Sequence, residues 1–310
     1  MTIANETSKP KSIMEAKLRP FLDVLNRDNI VEVCINKPTE LFIETTTGEW
    51  LEEIHPSITE IAMDDLIQVC AARSGQDFNW ENPIFSGRIP FGDTTLRVEA
   101  VKGSSVESRF AMSIRVGKPT VYPLTNWFAD PNEAQVSIDA VKNHKTLMVC
   151  GATGTGKTTL LNSLIAHIPM SERIITVEDT QELIVPHKNK VPLLKSKHNT
   201  DAGGVGYDNL INSITRLRPD RVLMGEIDTN NIMPFLRICN TGHEGSLTTL
   251  HAADAEEAFD AMCLNVQLAG STLSKEAVKD YARNAISGFI FVSRHVRNGQ
   301  RKFTARLEML

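Results

Sequence analysis

The hydrophobic rhythm of the chain changes part-way along. Up to about residue 116, apolar and polar positions alternate in short runs. Val31-Glu32-Val33-Cys34-Ile35-Asn36 has the period of two expected of a half-buried strand, and Leu41 to Glu44 can pair with it. Thr59 can cap a helix carrying Ile61, Leu66, Ile67, Val69 and Cys70 at helical spacing. Leu96, Val98 and Ala100 alternate with Thr95, Arg97 and Glu99, and Met112, Ile114 and Val116 with Ser113 and Arg115. Gly87 to Val116 therefore predicts two or three strands. Leu18 to Val116 reads as one α+β unit, within an N-terminal domain of residues 1–117. Pro119, Pro123 and Pro131 punctuate residues 118–131, which read as an interdomain linker and a candidate hinge.

From Asn132 onward, strands and helices take turns. Strands are expected at Thr146–Cys150, Arg173–Val177, Arg221–Met224, Gly245–Leu250 and Phe289–Ser293. Helices are expected at Thr158–Ile168, Tyr207–Leu217, Asn231–Cys239, Ala255–Leu268 and Lys275–Ala285. Asp254, with Glu257 three residues on, is a capping pair for the fourth of these helices. Alternating β and α implies a mostly parallel sheet covered by helices over residues 132–310.

Composition narrows the class. With 310 residues, 41% of them hydrophobic and 23% charged, the chain is an ordinary two-domain globular protein. A net charge of −5 argues against a nucleic-acid-coating surface. No apolar run reaches membrane-spanning length, and Met1 to Lys11 is a polar tail without the apolar core of a signal peptide. The five cysteines are scattered with no C-x-x-C pair, so neither a zinc site nor a disulfide framework is indicated, and reduced buried thiols are expected.

The chemistry starts at Gly151-Ala152-Thr153-Gly154-Thr155-Gly156-Lys157-Thr158, which fits G-x-x-x-x-G-K-[ST] between an apolar strand and a helix. Its glycines let backbone N–H groups curl around phosphates at a helix N-terminus. Lys157 would reach the β- and γ-phosphates of a nucleoside triphosphate, and the Thr158 hydroxyl would ligate Mg²⁺. Phosphoryl transfer to water needs more: a group to orient the water and charge to steady the transition state.

Three segments at the ends of expected strands offer such groups. Glu178-Asp179-Thr180-Gln181-Glu182 is either a solvated acidic turn or a source of a proton-accepting carboxylate. Arg216 to Glu226 contains an apolar strand ending in Gly225-Glu226; the arginines before it are either a plain surface cluster or carboxylate partners, and structural pairing is the favoured reading for Arg218 and Arg221. Thr241 to Ala252 crowds hydroxyls and glycines around a strand that ends at His251, either a structural histidine or a γ-phosphate sensor.

Together, G-A-T-G-T-G-K-T-T, E-D-T-Q-E, L-R-P-D-R-V-L-M-G-E and T-G-H-E-G-S-L-T-T-L-H-A, in that order, resemble the Walker A, acidic, Walker B and histidine boxes of the secretion (traffic) ATPase superfamily. A short N-terminal domain, and the lack of a cysteine-rich insert and of extra C-terminal helices, resemble its type IV secretion branch of conjugation and effector-export ATPases. The resemblance implies a RecA-like P-loop NTPase domain preceded by a smaller α+β domain, with ATP and Mg²⁺ as cofactors. It implies ATP hydrolysis by a homo-hexamer bound peripherally to the cytoplasmic face of the inner membrane, with inner-membrane secretion components and a coupling ATPase as partners.

Residue by residue, the resemblance places Gly151 to Thr159 at the phosphates and Glu182 as the catalytic glutamate. Glu226 is the Walker B glutamate, ligating Mg²⁺ with Thr158 directly or through water, and His251 is the terminal histidine. Arg97 and Arg115 are similar to two N-terminal arginines that reach the nucleotide; a salt bridge within their own domain is the other reading. Where the family has an arginine after Gly-Glu-[apolar], this chain has Asp228, and Thr229-Asn230-Asn231 replaces the neighbouring run. That departure opens a rival reading, a nucleotide-gated assembly scaffold with little hydrolysis. A type IV pilus or type II secretion motor and a DNA-translocating motor are further alternatives; the last is disfavoured by the negative charge.

Overall fold

A computed structural model describes residues 12–92, 94–116, 120–179, 181–195, 206–297 and 300–310. The tail Met1–Lys11, residue 117, residues 118–119 of the expected linker and Thr180 of the acidic box lie outside the described residues. The described residues fall into two compact units, before and after residues 117–119.

In the first unit, α1 (Ile13–Leu18) and the single turn α2 (Leu22–Leu25) precede β1 (Ile30–Lys37), β2 (Glu40–Thr45) and β3 (Trp50–Ile54). Then follow α3 (Glu60–Ser74), β4 (Ile84–Phe91), β5 (Thr94–Lys102) and β6 (Phe110–Arg115). Among the described residues they form a six-stranded antiparallel sheet in the order β3-β2-β1-β6-β5-β4. The alternation predicted for β1, β5 and β6 puts Val33, Ile35, Leu96, Val98, Ala100, Met112 and Ile114 into one core with α3.

Thr59 caps α3, its hydroxyl accepting from Ala62 N at 3.2 Å. The buried stripe of α3 is Met63, Leu66, Ile67, Cys70 and Ala71, whereas Ile61 is 75% exposed. Two residues before Met63, Ile61 stands about 200° away around the helix, so it cannot share that face.

The second unit opens with a segment read from sequence as linker. Leu124, Trp127 and Phe128 are buried there, and Phe128 bridges to Ala305, so packed structure begins well before Asn132. These three large apolar side chains provide enough surface to dock the segment. Asp130 then caps α4 (Pro131–Lys142), a helix the sequence reading left out.

The remaining elements are β7 (Leu147–Cys150), α5 (Lys157–Ile165), β8 (Ile174–Glu178), β9 (Lys190–Leu194), α6 (Tyr207–Arg216), β10 (Arg221–Met224), α7 (Ile232–Asn240), β11 (Leu247–Leu250), α8 (Ala255–Leu268), α9 (Lys275–Ala285), β12 (Gly288–Arg297) and β13 (Gln300–Met309). The sheet order is β13-β12-β7-β11-β10-β8-β9, all parallel except for the edge strand β13.

The central strands β7, β8, β10 and β11 are buried at every position, as a parallel sheet covered on both faces requires. Successive residues serve opposite faces. Leu147, Val149, Ile174, Leu223, Leu247 and Ile290 pack with α5 and Val141 of α4. Met148, Cys150, Ile175, Val222, Met224 and Phe289 pack with α6 to α9. Asp254 caps α8, accepting from Glu257 N at 2.8 Å, while the Glu257 carboxylate reaches back to Ala253 N.

Candidate active site

Because the strands are parallel, the segments after β7, β8, β10 and β11 leave the same edge of the sheet, the edge at which α/β sheets bind ligands. The register fixes this: Cys150 lies opposite Leu250, and Met224 opposite Val177.

The phosphate loop joins Cys150 to Lys157, the first residue of α5. Two glycines are required by its path. Gly151 has φ 157°, and a Cβ there would sit 2.5 Å from the Val292 carbonyl oxygen on β12. Gly156 has φ 86° at the helix N-cap, and a Cβ there would meet the Trp127 ring at 3.1 Å. Trp127 in turn packs against Tyr122 and Phe303, so the segment before α4 and strand β13 support the loop from one side. Thr155 braces the loop from within, donating to Ala152 O at 2.8 Å.

Lys157 is 8% exposed. Its Nζ donates to the carbonyls of Gly151 (2.9 Å) and Ala152 (3.1 Å) and lies 3.2 Å from His251 Nδ1. His251 Nε2, itself 3.4 Å from Lys157 Nζ, is 2.7 Å from Glu226 Oε1. An Nε2–H tautomer suits the Glu226 carboxylate, with the Lys157 ammonium close to both ring nitrogens. Burial lowers the Lys157 ammonium below the ordinary lysine range, opposed by the negative charge of Glu226 and by Cys150. Burial also pushes the Cys150 thiol up to about 12, so it remains a neutral filler beneath the loop.

Three of the sequence boxes thus meet side chain to side chain. Thr158 and Thr159 follow Lys157 in the first turn of α5. Glu182 joins less directly. Its backbone N and that of Leu183 donate to Glu178 Oε1 at 2.7 and 2.8 Å, and its carbonyl accepts from Asn162 of α5 at 2.9 Å. Glu178 is buried and organises the acidic segment. Sequence reading missed Asn162; its one signal was a polar residue inside the run Leu160–Ile165.

Arg221 is fully buried and grips Glu172 through two hydrogen bonds, at 2.5 and 3.0 Å, while Nη1 donates to Val141 O. This is the structural pairing expected of it. Arg218 differs: it is exposed at φ 54°, and no ion pair is found for it among the described residues. Three residues before β10 begins, it stays at the surface.

Asp228 shapes a turn: its Oδ1 accepts from Asn230 N at 2.7 Å, and Asn231 closes the loop on Asp228 N and Glu226 O, both at 2.9 Å. Arg97 and Arg115 belong to the other unit, where they are cross-strand partners. Glu32 stands opposite Arg115 on β1, and Arg88 opposite Arg97 on β4. Arg294, which the sequence reading passed over, lies on β12 with Nη1 3.4 Å from the Gly154 carbonyl.

A parallel sheet with a phosphate loop at the carboxyl end of a central strand, preceded by an α+β domain, defines a RecA-like secretion-type NTPase fold. The model of the Type II/IV secretion system protein family matches residues 97–271. The VirB11 type IV secretion protein of Bartonella henselae is 31% identical, over 93% of this chain and 88% of that protein. Two solved structures share the fold. The Legionella pneumophila ATPase DotB has a TM-score of 0.71 at 18% identity, covering 98% of this chain and 83% of that one. The Brucella suis VirB11 ATPase, solved in complex with sulphate, has a TM-score of 0.50 at 24% identity, covering 96% and 94%. The chain belongs to the Type II/IV secretion system protein family, as a traffic ATPase of its type IV secretion branch.

Proposed function

We propose that this chain hydrolyses ATP with Mg²⁺ and that turnover powers substrate export or pilus assembly by a type IV secretion or conjugation system. In this reading it works as a hexameric ring, peripheral at the cytoplasmic face of the inner membrane. The observation that carries the proposal is the contact chain Lys157–His251–Glu226 beside the phosphate loop. It joins three boxes that lie far apart in sequence.

Lys157 and the loop N–H groups would hold the phosphates, and His251 would register the γ-phosphate through Lys157 and Glu226. Glu182 would accept the proton of the attacking water. Mg²⁺ would be held by the Thr158 hydroxyl and Glu226, directly or through water, and would neutralise developing phosphate charge. These hard oxygen donors suit it, since Mg²⁺ takes one or two protein oxygens and fills its shell with phosphates and water. No cluster of three acidic, histidine or cysteine ligands, as an all-protein cage would need, occurs among the described residues. Arg97 and Arg115 would add positive charge toward the nucleotide, and nucleotide-dependent movement of the two units about residues 118–131 would couple turnover to export.

Phosphate release from the purified chain, with and without Mg²⁺, tests the activity. Native mass spectrometry with and without ATP tests the ring. Lys157→Ala with undiminished turnover would sink the proposal, and tight ATP binding without phosphate release would favour the scaffold.

A further inference from the structure

Asn162 is a polar residue enclosed in the phosphate-loop helix, 1% exposed among Leu160, Leu161, Leu164 and Ile165. Both side-chain hydrogen bonds go to the acidic segment. Nδ2 donates to the Glu182 carbonyl at 2.9 Å, and Oδ1 accepts from Ile184 N at 2.8 Å. A carbonyl at one residue and an N–H two residues on are the groups a strand presents to its neighbour. The primary amide imitates one rung of such a ladder, for a segment that is itself neither helix nor strand.

The sheet does not supply this contact. It fixes β8 against β10 and β9. The Glu178 carboxylate ties the turn back to β8 through Glu182 N and Leu183 N. Asn162 ties it to α5, five residues beyond Lys157. Glu182 is thereby held on both sides of its Cα, at its N–H from the strand and at its carbonyl from the helix that carries the phosphate loop.

We infer that Asn162 is a positioning residue for Glu182, setting the carboxylate's distance from the phosphate loop; the inference rests on Glu182 being the proton acceptor proposed above. A proton acceptor must stand within hydrogen-bond reach of its water. A displacement of about 1 Å can cost up to about a hundredfold in rate. No close substitute keeps both bonds. Aspartate has the shape but no donor, and would turn a carboxylate oxygen toward the Glu182 carbonyl. Glutamine has both groups but moves them outward by one methylene.

The test uses the full chain and five variants: Asn162→Ala, Asn162→Gln, Asn162→Asp, Glu182→Gln, and Asn162→Ala combined with Glu182→Gln. Three quantities are read: kcat and KM for phosphate release with MgATP, affinity for a fluorescent ATP analogue, and amide hydrogen exchange across residues 182–184. The expected result is a fall in kcat of about tenfold to a hundredfold in each Asn162 single variant, with analogue affinity within about twofold. Exchange at Ile184 should rise at least about tenfold, with the rest of α5 unchanged. In the Glu182→Gln background, Asn162→Ala should cost less than about twofold more, because the residue it positions no longer takes a proton.

Two results overturn the inference, and they are distinguishable. If Glu182→Gln turns over like the parent, the reading of Glu182 fails and takes the inference with it. If Glu182→Gln is slow but Asn162→Ala costs the same factor in both backgrounds, or weakens binding instead of kcat, the reading stands and the positioning role is wrong. The glutamine variant keeps the test open should the alanine variant not fold.

Discussion

His251 and Glu226 meet through Nε2 and Oε1 at 2.7 Å, and the same imidazole lies 3.2 Å from the Lys157 ammonium through Nδ1. A histidine held this way touches both the Glu226 carboxylate and the phosphate-loop lysine, the contact on which its proposed sensing role rests. His251→Ala is expected to lower kcat by about tenfold to a hundredfold. Pairing it with Glu226→Ala should give losses that do not add, with a coupling of roughly 0.5–3 kcal/mol. Steady-state phosphate release on the four-member cycle checks this, and simple additivity would remove the link.

Beneath the opposite edge of the sheet, Arg221 and Glu172 form a buried pair braced by the Val141 and Gly245 carbonyls. Removing only the cation leaves a buried carboxylate without its main partner. Arg221→Ala should therefore destabilise by about 3–5 kcal/mol in urea unfolding. Arg221→Met combined with Glu172→Gln should recover part of that loss, and the double variant should retain nucleotide binding.

Gly151 tolerates no side chain. An alanine there would place its methyl 2.5 Å from the Val292 carbonyl, at a φ that L-residues rarely adopt. Gly151→Ala is expected to lose about 1–3 kcal/mol and to bind ATP analogue poorly. Urea unfolding and ATP-analogue titration of the variant beside the parent check this, and unchanged values in both would refute it.

In the first unit, hydrogen bonds from Arg27 and then His55 hold Glu53 down at about 2, from an ordinary 4.5. A depressed carboxylate contributes stability that is complete above its unfolded value and disappears as pH falls through its folded one. Melting curves should thus show stability falling between about pH 4.5 and about pH 2, with a smaller fall in Glu53→Gln. Parallel curves for the two proteins would refute the assignment.

The apolar run Thr146–Cys150 already marked β7 as a strand, and the glycine pattern after it marked the phosphate loop. Caps at Thr59 and Asp254 were equally legible, because a cap depends on residues only three apart. Strand β9 and the β12–β13 hairpin were not read in full. The run Lys190–Leu194 carries a proline and shows its apolar residues on an edge, and Gln300–Met309 is rich in charge, so neither has the density of a central strand. The helix α4 was hidden behind prolines that served equally well as a linker signal.

The sequence by itself determined the local elements, the phosphate loop and the identity of the chemical groups, because helix periods, strand periods and glycine turns are written within a few residues. Only the tertiary structure decided that Lys157, His251 and Glu226 touch, that Arg221 is buried while Arg218 is exposed, and that Asn162 holds Glu182. Those contacts span between 20 and 94 positions of chain, and they exist because parallel strands deliver their following segments to one edge of the sheet.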